Sequence, residues 1–92
     1  MSKLDSDAEA ALKRLPEHCQ AGLRRYIEDH VQPGGFLSAV LRNDLRDAVM
    51  AADDINRARL DQYVIFLYNH APSACWGGER WFNAWIEGED EK

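Results

Sequence analysis

The sequence has few residues of the kinds that mark secreted or membrane proteins. Its 92 residues include only two cysteines, too few for the disulfide framework that holds many small secreted domains together. No apolar run approaches the roughly 20 residues of a membrane-spanning helix, and the first residues lack the apolar stretch of a signal peptide. We therefore expect a cytoplasmic protein that does not engage a membrane.

Positive charge is scarce as well. Eleven Lys and Arg stand against sixteen Asp and Glu, and the seven Arg between residues 16 and 86 are interleaved with nine acidic residues. A nucleic-acid-binding surface concentrates positive charge instead. The helix expected after Pro33-Gly34-Gly35 also begins with apolar residues where base-reading side chains would stand. We expect no nucleic-acid partner, and a helical DNA-binding transcriptional regulator remains an alternative function.

Patterns that mark catalytic or metal sites are missing. The chain has no G-x-S-x-G motif, and its cysteines, Cys19 and Cys75, and its three histidines lack the short spacings of zinc ligands. The acidic pairs at 44/47 and 53/54 fit helix capping better than acid–base chemistry. Neither Gly34-Gly35 nor Gly77-Gly78 is followed by the Lys-Ser/Thr of a phosphate-binding loop. We expect no catalytic residues, metal or cofactor, and two free, buried thiols.

Apolar residues recur at intervals of three and four along most of the chain, which is typical of amphipathic helices. The predicted helices cover residues 6–15, 16–31, 36–52, 55–70 and 79–87. The short connections between them predict an all-α fold, a compact bundle of about five short helices. Residues 1–92 are predicted to form a single domain, with residues 1–5 and 88–92 frayed.

Several residues are predicted to begin or end these helices. Ser6 and Glu9 form the S-x-x-E pattern of a capping box, and Gly88 supplies a helix stop. Asn43 and Asp44 interrupt the apolar stripe of the third helix, so we expect a kink or break there. The apolar stretch YVIFLY could pass as a strand, but no second strand-like run exists to pair with it. We expect this stretch to form a central, fully buried helix in which Ile65 and Phe66 face a second neighbour.

The aromatic residues near the C-terminal end are the feature most open to a functional interpretation. Trp76, Trp81, Phe82 and Trp85 fall within ten residues, and the helix that carries the last three presents a wide apolar face. Core packing accounts for part of this cluster. Trp and Arg are also enriched in the residues that dominate protein interfaces. We therefore predict a partner or dimer surface formed by Trp76, Arg80, Trp81 and Trp85.

Several short motifs of the sequence resemble those of a known group of proteins. They are Pro33-Gly-Gly-Phe-Leu37, Ala39-Val-Leu41, Asn43-Asp-Leu45, Leu67-Tyr-Asn69 and Cys75-Trp-Gly77. Together they are similar to motifs in a group of short proteins from tailed phages and prophages of proteobacteria, and the resemblance runs from about Leu15 to Ile86. No activity is established for that group, so the resemblance implies a phage accessory gene and no catalytic residue.

These observations favour a non-enzymatic phage or prophage accessory protein that binds another protein. The expected partner is a host or phage protein, for example a host defence or regulatory factor that is inhibited in an anti-CRISPR-like manner. A homodimer is compatible with the same surface. The alternatives are the DNA-binding regulator and a small self-assembling structural component.

Overall fold

The computed structural model describes residues 3–88, which form seven α-helices and one 3₁₀ turn. The helices are α1 (Ser6–Leu12), α2 (Glu17–Asp29), α3 (Gly35–Leu41), α4 (Leu45–Ala51), α5 (Asp54–Ala58), α6 (Leu60–His70) and α7 (Glu79–Ile86), and the 3₁₀ turn is Ser73–Cys75. The described part of the chain contains no strand. The buried apolar side chains form one cluster, and the predicted all-α fold is confirmed.

α2 contributes four buried side chains to the core: Cys19, Leu23, Tyr26 and Ile27. The Tyr26 hydroxyl donates a hydrogen bond to the carbonyl of Cys75, 2.6 Å away. Trp85 of α7 packs against the same tyrosine and donates its indole N–H to the Tyr26 carbonyl at 2.7 Å. A buried polar group is costly unless it is paired, so these two bonds let both aromatic side chains lie fully inside.

The break predicted at Asn43–Asp44 is confirmed and separates α3 from α4. Asn43 adopts a left-handed conformation with φ of 62°, which asparagine tolerates better than most residues. The Asp44 carboxylate then accepts the backbone N–H of Asp47 at 3.0 Å and caps α4. The break lets α3 and α4 turn against each other, and every residue of α3 from Phe36 to Leu41 is buried.

The N-terminal end is capped differently from the prediction. Asp5, rather than Ser6, caps α1 by accepting the N–H of Ala8 at 2.8 Å. Glu9 does not complete a capping box, because its carboxylate pairs with the guanidinium of Arg24. The helix ends at Leu12 and not near Leu15.

Residues 3–5 belong to the end predicted to fray, and two of them contact the rest of the fold. Leu4 is only 3% exposed, and the backbone N–H of Lys3 donates to the Glu28 carboxylate at 2.6 Å. Gly88, also predicted to fray, has φ of 92° and follows α7 as the expected helix stop. The remaining positions of the two predicted frayed ends, 1–2 and 89–92, lie outside the described residues.

The single helix predicted over residues 55–70 is two helices. Asp53 caps α5 through the N–H of Asn56, and the chain leaves helical geometry at Arg59, where φ is −116°. The Arg59 side chain donates to the carbonyl of Arg14 at 2.7 Å. The break between α5 and α6 therefore coincides with a contact to a residue far away in the sequence. No residue next to Arg59 is a typical helix breaker.

Full burial of α6 was also a wrong prediction. Tyr63, Phe66 and Leu67 face the core, but Val64 and Ile65 are about half exposed, at 46% and 49%, and Tyr68 is 79% exposed. A helix that is apolar on all sides normally lies wholly inside a protein. The remaining helices of the described chain are too few and too short to surround α6.

The two aspartate caps predict a loss of stability in acid. Hydrogen bonds from the N–H of Asp47 to Asp44, and from the N–H of Asn56 to Asp53, lower the pKa of each carboxyl below its ordinary value of 3.8. A lowered carboxyl pKa stabilises the fold above the ordinary value, and this contribution is lost as the pH falls through the folded-state pKa. We expect the thermal midpoint of unfolding to decrease as the pH is lowered below 3.8. This decrease should be shallower in the double variant Asp44→Asn/Asp53→Asn, because its side-chain amides still cap the helices but do not titrate. An equally steep fall in the variant would contradict this origin.

Candidate protein-binding surfaces

The four residues predicted as one partner surface do not share one environment. Trp85 is fully buried, its ring lies 4.5 Å from that of His30, and its indole N–H is bonded to Tyr26. It therefore belongs to the core, and its assignment to a binding surface is corrected. The helical repeat places residues 81 and 85 on neighbouring positions, and the contact with α2 selects Trp85 as the inner one.

Arg80 and Trp81 lie at the outer side of α7. The guanidinium carbon of Arg80 lies 5.0 Å from the centre of the Trp81 ring, within the range of a cation–π contact. Arg80 is exposed and Trp81 is half-buried. Trp76, which precedes α7, is also half-buried and packs against the core. Together these three residues form what we call the α7 edge: Trp76, Arg80 and Trp81.

A second candidate surface was not predicted from the sequence. Leu45 of α4 is 70% exposed and borders an open trough with Leu60, Val64 and Ile65 of α6. The rim of the trough also carries one cation, Arg57, and one anion, Asp61. We call this surface, with its four apolar residues and two rim charges, the α4–α6 face.

The sequence does contain a signal for the α4–α6 face. The spacing of Leu60, Val64 and Tyr68 places these residues on one side of α6, while Tyr63 and Leu67 point to the core. A second neighbour for α6 was predicted at Ile65 and Phe66, of which Ile65 lies on the α4–α6 face and Phe66 is buried in the core. What the sequence does not show is that no other part of the described chain covers that side.

A polar cleft of about 420 Å³ lies between α2, the beginning of α3 and α5. His18 Nε2 is 2.9 Å from Asp53 Oδ2 and 3.3 Å from Asn56 Nδ2, and Asn56 Nδ2 lies 3.4 Å from Cys19 Sγ. A Cys-His-Asp relay needs the carboxylate on one imidazole nitrogen and the nucleophile on the other. Here Nε2 of His18 faces both the Asp53 carboxylate and the Asn56 amide, and the Cys19 thiol contacts Asn56 instead of the imidazole, so the geometry favours a structural network over an activated thiol.

The Asn56 amide is the centre of that network. Tyr63 donates its hydroxyl to Asn56 Oδ1 at 2.6 Å, and the burial of Tyr63 raises the pKa of its phenol. Asn56 is 4% exposed, and among residues 3–88 no buried side-chain nitrogen or oxygen lacks a hydrogen-bond partner. The cleft thus offers a ligand no unsatisfied buried group.

Metal and phosphate sites have little support in the arrangement of side chains. Within the described residues, no three His, Cys, Asp or Glu side chains approach one another closely enough to hold a metal ion. The cleft is lined by Gly34 and Gly35, but it also holds both a cation, Arg25, and an anion, Asp53, so its charges do not select a phosphate. For the part of the chain that the structure covers, no helix has both the length and the apolar character of a membrane span.

Comparison with known proteins does not identify the chain: no protein-family model, curated protein or solved structure matches it. The resemblance to phage and prophage proteins therefore stays an expectation from short motifs.

The different environments of the two α7 tryptophans predict different costs of substitution. Trp85→Ala removes a fully buried ring and its hydrogen bond, and it should lower the free energy of unfolding by about 3–5 kcal/mol. Trp81→Ala removes a half-buried ring and should cost about 1 kcal/mol. Urea denaturation of both variants measures the difference, and equal costs would contradict the assignment of Trp85 to the core and Trp81 to the surface.

The environment of Cys75 predicts that this thiol is unreactive in the folded protein. Its side chain is fully buried, and burial raises its pKa to about 12, so the reactive thiolate is scarce at neutral pH. We expect alkylation of Cys75 only after unfolding, as measured by peptide mass spectrometry of protein labelled with and without denaturant. Rapid labelling of the native protein at Cys75 would show that the 3₁₀ turn opens readily.

Proposed function

We propose that the protein is a non-enzymatic accessory protein of a phage or prophage that binds a host or phage protein through the α7 edge. The observation that carries this proposal is the contact between the exposed Arg80 and the half-buried Trp81, with their centres 5.0 Å apart. Arg and Trp are two of the residue types that contribute most to protein interfaces. Inhibition of a host defence or regulatory factor in an anti-CRISPR-like manner is the form of action that we propose.

The packing of α7 holds Arg80 and Trp81 in a fixed position, which favours residues that dominate the binding energy of an interface. Trp81 lies on the same helix as Phe82 and Trp85, which are both buried, so the core fixes the helix that presents it. A ring held in place loses little conformational entropy on binding. The stacked guanidinium keeps N–H groups available for carboxylates or carbonyls of a partner.

The DNA-binding alternative has less support from the structure. The helix that follows Pro33-Gly34-Gly35 is α3, and its residues 36–41 are all buried, so they cannot enter a groove of DNA. Arg24, Arg42 and Arg57 each form an ion pair with a neighbouring acid. Phosphate binding would have to break these pairs or share their cations.

Affinity capture from a proteobacterial host lysate tests the proposal. The immobilised protein should retain one host protein in a stoichiometric amount, and Trp81→Ala or Arg80→Ala should reduce the retained amount at least tenfold, as expected for residues that contribute about 2 kcal/mol to binding. Arg46→Ala is the matched control, because Arg46 is an exposed arginine on α4, with 87% of its side chain accessible.

The comparison requires that all variants have the same secondary structure and thermal stability. Far-UV circular dichroism and thermal midpoints establish that equality before capture. Retention of no stoichiometric protein, or equal retention by the Trp81, Arg80 and Arg46 variants, would reject the α7 edge as the binding surface.

A further inference from the structure

The α4–α6 face is a second surface, separate from the residues of the proposed α7 edge. Four aliphatic side chains meet there: Leu45, Leu60, Val64 and Ile65. Scattered exposed apolar residues are normal on a protein, but these four line one trough. Tyr68 extends the exposed side of α6 by one further turn, with 79% of its surface accessible. Exposed apolar side chains that line one trough are a candidate interaction site.

The rim charges indicate what covers this face. Asp61 forms no ion pair with any residue in the range 3–88. Arg57 donates to the Asp54 carboxylate at 3.1 Å and to the carbonyls of Ala52 at 2.9 Å and Val49 at 3.4 Å. These three bonds do not use all five N–H groups of its guanidinium. The rim thus holds one available anion and one partly available cation beside the same apolar centre.

A surface with one cation and one anion beside its centre is complementary to itself under a two-fold rotation. In a two-fold dimer each contact occurs twice, because residue i of one copy meets residue j of the other and the reverse. A two-fold axis that lies in the interface midway between Arg57 and Asp61 sets the Arg57 of each copy opposite the Asp61 of the other. The aliphatic side chains then form the interior of the interface and the charges form its rim.

We propose that the α4–α6 face binds a second copy of this chain and forms a two-fold dimer. Val64 and Leu60 lie at the centre, and two reciprocal Arg57–Asp61 pairs set the orientation. Strand addition is not an available mode, since the described residues contain no strand. This inference uses none of the residues of the α7 edge, so it stands or falls separately from the proposed function.

Sedimentation velocity over a wide range of protein concentration tests the dimer. The wild type should pass from monomer to dimer, and Val64→Glu should raise the dissociation constant at least tenfold, because it places a charge in the apolar centre. Gln62→Glu is the matched control, since it adds the same charge to an exposed position of the same helix outside the face. The control should dimerise like the wild type.

A charge exchange between copies tests the orientation. Asp61→Arg alone and Arg57→Asp alone each place like charges opposite one another in both pairs, so each variant should dimerise more weakly than the wild type. An equimolar mixture of the two variants restores an opposite charge at both pairs. The mixture should therefore associate more strongly than either variant alone.

Every outcome of these measurements bears on the proposal. Concentration-dependent dimerisation that Val64→Glu weakens, Gln62→Glu leaves unchanged and the mixture restores would support it. A wild type that is monomeric at every concentration, or a dimer that Val64→Glu does not weaken, would overturn it. A dimer sensitive to Val64→Glu without recovery in the mixture would overturn the two-fold Arg57–Asp61 arrangement. Circular dichroism and thermal midpoints of each variant separate weakened association from misfolding.

Discussion

The last part of the chain is attached to the rest through Tyr26. Its hydroxyl binds the Cys75 carbonyl, its own carbonyl accepts the Trp85 indole N–H, and its ring stacks on Phe82 with centroids 5.5 Å apart. An unpaired buried polar group costs about 1–3 kcal/mol, so each hydrogen bond restricts where the other elements can lie. These contacts position α7 although the connection before it has only one 3₁₀ turn. The outward position of Trp81 is a consequence.

A second polar centre lies elsewhere in the core and includes another residue of α2. Asn56 accepts the Tyr63 hydroxyl and contacts Cys19 of α2, so α5 and α6 are also held to α2. With α2 in contact with both centres, the inner side of α6 is occupied by the core and its outer side is left to solvent. The exposed α4–α6 face therefore lies on the side of α6 that is turned away from α1 and the core.

Local chemistry explains which parts of this arrangement could be predicted. The break at Asn43–Asp44 was predictable because a polar residue interrupts an apolar stripe and both residues favour helix ends. The break at Arg59 was not, because Arg and Leu are good helix formers and the accompanying contact is with Arg14, 45 positions away in the sequence. The same limit applies to Trp81 and Trp85. Their spacing places both on one side of α7, and only the contact with Tyr26 distinguishes the buried ring.

The apolar residues outside the periodic face of α6, Ile65 and Phe66, predicted a second neighbour for this helix, but the sequence cannot say whether that neighbour belongs to the same chain. This distinction matters for the whole protein, because the α7 edge and the α4–α6 face share no residue. If a second copy covers the α4–α6 face, each dimer carries two α7 edges in fixed relation. A partner with two suitably spaced copies of its site would then be held by both edges, and the second contact would form at a high effective concentration. Dimerisation would in this way strengthen binding through a small Trp–Arg surface without adding any contact to it.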